Sequence, residues 1–128
     1  MRLLLDTHAL LWMSADSDRL SVRAATALLD SRNTILFSVA GWWELAIKIG
    51  LGKLDMRSDW AATLKREMRH NGIEWLPIRP DHCERLPSLP FHHRDPFDRL
   101  LIAQAQAEEL AIVTADPQFT AYDVEVVW

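Results

Sequence analysis

Cysteine, glycine, lysine and long apolar runs are all scarce in this chain. Its 128 residues include one cysteine, Cys83, so no internal disulfide can form, and a reducing, cytoplasmic setting is expected. Four glycines, and no stretch rich in glycine and serine, leave no candidate linker. A single domain over 1–128 is therefore expected, at a length typical of one domain. Apolar runs such as Ile35-Leu36-Phe37 fall far short of the roughly 20 residues a membrane span needs. Asp6 interrupts Leu3-Leu4-Leu5 too soon for a secretory leader. An excess of positive charge is also missing. Lys and Arg total 14 against 18 for Asp and Glu, a net charge of −4. Dedicated nucleic-acid binders are usually basic, so either nucleic acid is not the partner or a cation bridges the mismatch. Lysine is outnumbered by arginine three to eleven, and arginine makes planar, bidentate contacts with phosphate or carboxylate.

What is present reads as an ordinary globular chain, 49% hydrophobic and 25% charged. Short β-like runs at 2–5, 34–37, 73–78, 110–114 and 124–128 alternate with helical stretches. Ser21 suits the cap of a helix over 22–30, Ser38 of one over 39–49, and Ser58 of one over 59–71 that stops at Gly72. Asp95-Pro96 opens a helix running to about 109, with proline at its first position. This alternation predicts an α/β domain with a mainly parallel sheet, and right-handed crossovers put helices on both faces.

In such a sheet, ligands bind outside the carboxyl ends of the strands. Four acids fall near those ends. Asp6 follows the first run directly, Glu44 lies in the second turn after the second run, Asp98 in the first turn after Asp95-Pro96, and Asp116 just past the fourth run. Each has a purely structural alternative. Asp6 can cap a helix starting at Thr7. Glu44 can pair with Lys48 at i, i+4, worth about 0.2–0.5 kcal/mol. Asp98 can join Asp95 in a variant capping box and suits a positive helix end. Asp116, before Pro117, can cap a short turn. Together the four can also converge on one hole. Two carboxylates about 5 Å apart repel by roughly 3 kcal/mol at an effective dielectric of 20, so a cluster of four requires a cation. Oxygen-only ligands favour Mg²⁺ or Mn²⁺ over zinc. Neutralising four charges would bring the net charge from −4 to about 0, which eases the conflict with a polyanionic substrate.

The segments LLLDTHALLW at 3–12, SVAGWWELAIKIGLGKL at 38–54, HHRDPFDRLLIAQA at 92–105 and LAIVTADPQF at 110–119 carry a resemblance that spans nearly the whole chain. In content, order and spacing they resemble the PIN-domain family, and within it the VapC-type toxin ribonucleases of bacterial toxin–antitoxin pairs. The resemblance implies a five-stranded parallel sheet of order 3-2-1-4-5 with helices on both faces. It implies metal-binding and catalytic acids at Asp6, Glu44, Asp98 and Asp116, with Mg²⁺ or Mn²⁺ as cofactor. The implied activity is a metal-dependent endoribonuclease, its partners an RNA substrate, a cognate antitoxin and a second copy of the chain. In the implied mechanism these acids would hold a cation that activates a water for in-line attack, and the products would carry a 5′-phosphate and a 3′-hydroxyl. In that scheme Asp6, Asp98 and Asp116 hold the principal cation, and Glu44 binds a second one or orients the water.

Around these acids, Asp95 belongs to the same block but suits a helix cap, and Thr114 is a secondary candidate for orienting a water or Asp116. Arg94, Arg99 and Lys48 are candidates for an RNA-binding rim, the last two set against ordinary roles: Arg99 as a solvated helix residue, Lys48 as the partner of Glu44. His92 and His93 join that list but read more simply as a solvated pair, and His8 as a local packing residue. Among six tryptophans, the Gly41-Trp42-Trp43 run is expected in the core. Two rivals stand beside the nuclease. One is an aspartate-based phosphatase, which usually carries a second aspartate two residues after the first, where this chain has His8. The other is a non-catalytic PIN-like binding module, which has no need of mutually repelling carboxylates.

Overall fold

The run Leu3-Leu4-Leu5 is wholly buried and forms the centre of a sheet. In the computed structural model, which describes residues 1–128, β1 (Arg2–Leu5) pairs in parallel with β2 (Thr34–Ser38) on one side and β4 (Ala111–Val113) on the other. Outside them, β3 (Glu74–Leu76) pairs with β2 and β5 (Val126–Val127) with β4, both in parallel. The order is β3-β2-β1-β4-β5, as expected.

Side chains alternate between the faces with the period of two that a strand imposes. Leu3 and Leu5, Ile35 and Phe37, Ala111 and Val113 all point into one apolar core. There they meet Ala9 and Leu10 of α1 (Thr7–Ser14), Ala24 of α2 (Val22–Leu29), Leu45 of α3 (Val39–Gly50), and Leu64 and Met68 of α4 (Trp60–His70). The intervening Leu4, Leu36 and Ile112 point into a second core. It is filled by Leu101, Ile102 and Ala105 of α6 (Pro96–Glu108), with Leu89, Phe119 and Tyr122. Because both faces are covered, these strands read as continuous apolar runs rather than as alternating ones.

Element ends follow local chemistry. Ser21 and Ser38 cap α2 and α3 as expected, accepting from the backbone N of Ala24 and Ala40, each at 3.0 Å. Ser58 does not cap α4: the cap position is Asp59, whose side chain makes no capping bond. α3 continues through Gly50 and turns at Gly52, whose φ of +71° lies in the left-handed region open to glycine. β3 is shorter than the expected 73–78 because Pro77 has no N–H to donate to a ladder. Two short proline-led pieces were not anticipated: α5 (Pro80–Glu84) and a 3₁₀ turn over Leu86–Ser88. A further 3₁₀ turn, Pro117–Ala121, follows Asp116. No helix is long and apolar enough to cross a membrane.

Candidate active site

The parallel register sets the site. Leu5 lies opposite Phe37 and Val113, so the residues that follow them, Asp6, Ser38 and Thr114, come together at the carboxyl edge of the sheet, with Ser38 as the last residue of β2. Here the chain turns into α1, α3 and the Pro117 turn, and α6 starts nearby. Asp6, Glu44, Asp98 and Asp116 line one cavity of about 170 Å³, together with Asp95, Lys48, Thr7, His8 and Phe119. The expected convergence of the four acids is thus observed.

Three of the carboxylates also cap helices. Asp6 Oδ1 accepts from the backbone N of Ala9 at 2.7 Å, Asp116 Oδ1 from Gln118 at 2.9 Å, and Asp95 Oδ1 from Phe97 and Asp98 at 2.9 and 3.1 Å. Capping and convergence are therefore not competing fates. Each cap places a carboxylate at the positive end of a helix or turn, where negative charge is favoured. The second oxygen of Asp6 accepts from Thr114 Oγ1 at 2.5 Å, and the same hydroxyl accepts from the backbone N of Asp116 at 3.1 Å. Thr114 sits beneath the site and ties two of its acids together. Buried Glu44 accepts from Thr7 Oγ1 at 2.6 Å on one oxygen and from Lys48 Nζ at 3.0 Å on the other.

Charge in the cavity is unbalanced, with five acids and one lysine along its wall. Asp98 is pushed up to about 7, first by burial and then by the negative charges of Asp95, Glu44, Asp116 and Asp6. Burial also raises Asp6, against the lowering effect of its bonds from Thr114 and Ala9. A hard, oxygen-only donor set that does not hold all its negative charge at neutral pH fits a divalent cation. A second cluster, Asp81, His82 and Glu108, has a spacing that could hold a metal, but its chemistry argues otherwise. His82 Nδ1 accepts from the backbone N of Arg79 at 3.0 Å, and Nε2 lies 2.9 Å from Glu108. Asp81 is paired with Arg79 at 2.9 Å. Both ring nitrogens are engaged, and the cluster pins α5 to α6.

The rim candidates divide. Lys48 lines the cavity, bound to Glu44. Arg94 is exposed but lines a separate shallow hollow with Cys83 and Phe91. Arg99 corrects the sequence reading: it is only 6% exposed and is neither a rim residue nor a solvated one. Its guanidinium donates to the carbonyls of Pro90, Leu89 and Leu86 at 2.7, 3.1 and 3.3 Å, and stacks on Phe91. The core expectation holds in part for Trp42, which is half-buried and packs against the core and against Trp60 and Trp75. It fails for Trp43, which is 57% exposed and edge-on to Phe97. His8 packs against Trp12 as expected. His92 is exposed and edge-on to Tyr122, while His93 is half-buried, its ring packed against Tyr122 and facing Asp98 rather than solvated. Thr7 escaped the sequence reading, as did the contact of His93, expected at the rim or in solvent, with Asp98. Their signal was position alone, inside the Asp6 and Asp98 blocks.

Comparison with known proteins agrees with this geometry. The chain is 27% identical over 120 residues to ribonuclease VapC22 of Mycobacterium tuberculosis, covering 93% of this chain and 90% of that one. Its fold is similar to that of VapBC2 from Rickettsia felis, solved bound to a promoter DNA fragment, with a TM-score of 0.75 at 18% identity over 98% of this chain and 97% of that one. It is also similar to VapBC-5 from Mycobacterium tuberculosis, a member of the VapBC family of toxin–antitoxin systems, at a TM-score of 0.62 and 19% identity, covering 98% and 97% of the two chains. The PIN domain profile matches residues 3–125. With the profile spanning nearly all of its length and the acids gathered at the carboxyl edge of a 3-2-1-4-5 sheet, the chain belongs to the PIN-domain family.

Proposed function

We propose that residues 1–128 act as one PIN domain, a divalent-metal-dependent endoribonuclease and the toxin of a toxin–antitoxin pair. The observation that carries this reading is the convergence of Asp6, Glu44, Asp98 and Asp116 on one cavity lined by a single lysine, Lys48, and no arginine. A binding module has no use for such an arrangement, since it costs stability. Family membership and the likeness to a VapC ribonuclease support the same conclusion.

In this reading Asp6, Asp98 and Asp116 hold Mg²⁺ or Mn²⁺. The chemistry such a cation supplies when bound is activation of a water and neutralisation of phosphodiester charge. Glu44, fixed through both oxygens by Thr7 and Lys48, has lone pairs left to accept from the attacking water and orient it. Lys48 and Arg94 meet phosphate oxygens and position the strand without reading its sequence. Nothing in this route uses the ribose 2′-hydroxyl as nucleophile, so preference for RNA comes from binding. An antitoxin partner is supported by an apolar hollow of about 260 Å³ lined by Trp12, Leu20, Leu28 and Ile35. Val22 and Leu29 of α2 are each 85% exposed, and Leu29 also lines the hollow. A homodimer and a cytoplasmic setting complete the proposal.

Cleavage of a labelled RNA panel with Mg²⁺ or Mn²⁺ tests it. Products with 5′-phosphate ends, absent with EDTA and in Asp98→Asn, are expected. Cleavage that survives both would overturn the metal mechanism. Absence of any cleavage, together with no binding of Mn²⁺, would favour the binding module.

A further inference from the structure

The loop leading into α6 packs against Tyr122, and the hydrogen bonds there decide where one proton sits. A phenol oxygen has two lone pairs and one hydrogen. Tyr122 Oη receives the backbone N–H of His93 at 3.2 Å and a longer contact from Arg99 Nη1 at 3.4 Å. With donors on its lone pairs, its own hydrogen is left for His93 Nδ1, 2.9 Å away. Nδ1 therefore accepts, and a neutral imidazole whose Nδ1 accepts carries its hydrogen on Nε2.

That Nε2 is shut off from solvent and has no well-formed hydrogen bond. The His93 side chain is only 9% exposed, and the acceptor facing it is Asp98 Oδ2 at 3.4 Å. A closing movement of about 0.5 Å brings the pair to the usual N–H···O distance. Arg99, tied to three carbonyls, anchors the far end of the chain of contacts.

We propose that His93 is a positioning residue, set by Tyr122 and Arg99, whose Nε2–H holds one oxygen of Asp98 and leaves the other turned toward the cation. This inference rests on the metal-dependent reading above and extends it beyond the acids themselves. Partners that hold a ligand in place typically change metal affinity about 10–100-fold when removed.

Two measurements on the full chain test it. The first is nitrogen NMR of the histidine rings in metal-free protein at mildly alkaline pH, with the His93 signal assigned by its loss in His93→Gln. An Nε2–H tautomer whose signal moves in Asp98→Asn is expected. An Nδ1–H tautomer, or a signal indifferent to Asp98→Asn, overturns the inference. The second is Mn²⁺ affinity by calorimetry. His93→Ala is expected to bind about 10–100-fold more weakly, His93→Gln, which keeps a donor, to recover most of the loss, and Tyr122→Phe to fall between. Wild-type affinity in both His93→Ala and Tyr122→Phe overturns it, and Tyr122→Phe alone decides if His93→Ala does not fold. Failure of the wild type to bind Mn²⁺ sinks the metal reading instead, and the ring signal then judges the His93–Asp98 contact by itself.

Discussion

Thr114 Oγ1 donates to Asp6 Oδ2 at 2.5 Å, joining residues 108 positions apart. The bond follows from β1 and β4 being parallel neighbours with Leu5 opposite Val113. Because the same hydroxyl accepts from the backbone N of Asp116, one buried side chain fixes two acids of the site. Thr114→Val keeps the shape and removes both bonds. It is expected to destabilise the protein by about 1–3 kcal/mol, the cost of a buried polar group left unpaired, and to weaken Mn²⁺ binding. Thr114→Ser should retain most of both. Urea unfolding and calorimetry measure the two effects, and unchanged stability in the valine variant would count against this role.

Asp98→Asn should raise the melting temperature of the metal-free protein at pH 8, although it removes a candidate ligand. Wild-type Asp98 is crowded by Asp95, Glu44, Asp116 and Asp6, and a neutral amide relieves that repulsion. The gain on adding Mn²⁺ should shrink at the same time. Ligand at about 100 times its Kd stabilises by about 2.7 kcal/mol, so thermal scans with and without Mn²⁺ separate the two effects. A metal-free variant less stable than wild type would contradict the repulsion argument.

The pH dependence has a definite sign. Asp98 titrates at about 7 in the folded protein, against an ordinary value of 3.8, so the folded state binds more protons between those values. Its contribution to stability is complete below the unfolded value and is lost as pH rises through about 7. Burial of Asp6 acts in the same direction. Metal-free protein should therefore melt at progressively lower temperature from pH 5 to 8. Saturating Mn²⁺, which binds the ionised acids, should flatten or reverse the trend. A metal-free melting temperature that rises steadily across that window would contradict the assignment.

Two arginines of one block should behave in opposite ways. Arg99→Ala removes a buried guanidinium from three carbonyls. Bonds from charged groups contribute about 1.5–3 kcal/mol each, so a loss of about 3 kcal/mol or more is expected in the urea midpoint. Exposed Arg94 should be replaceable by alanine within about 0.5 kcal/mol. That change should instead weaken RNA binding and reduce its salt dependence, measured in an Asp98→Asn background to prevent cleavage.

Gly41→Ala should destabilise, against the usual helix preference for alanine, worth about 1 kcal/mol. A Cβ at this position of α3 would lie 2.7 Å from Cζ of Phe37, and that ring is fully buried. Overpacking of this kind costs about 1–3 kcal/mol. A melting temperature equal to or above wild type would mean that the Phe37 ring can move aside.

The sheet was legible because its evidence is local. Leu3-Leu4-Leu5 and Thr34-Ile35-Leu36-Phe37 are apolar or β-branched, and Ser21, Ser38 and Asp95 announce helix starts through bonds to backbone only two or three residues away. The four acids were legible for the same reason, since each stands at a strand end or in the first turns of a helix. α5 and the Leu86–Ser88 turn were not. They are too short to show a period, and α5 is held by a bond from Arg79 to a buried histidine tied to α6.

Arg99 and His93 mark the boundary between the two kinds of information. Their sequence contexts read as solvated, because charge and polarity on a helix or in a loop usually mean exposure. Burial of Arg99 depends on carbonyls of Leu86, Leu89 and Pro90, and that of His93 on Tyr122, nearly thirty residues further along. Local pattern was enough for elements, strand ends and the identity of the acids, since those follow from backbone geometry and side-chain period. Which oxygen of each acid is held, which arginine is free, and which histidine faces the site arise from contacts between distant segments, formed only when the chain packs.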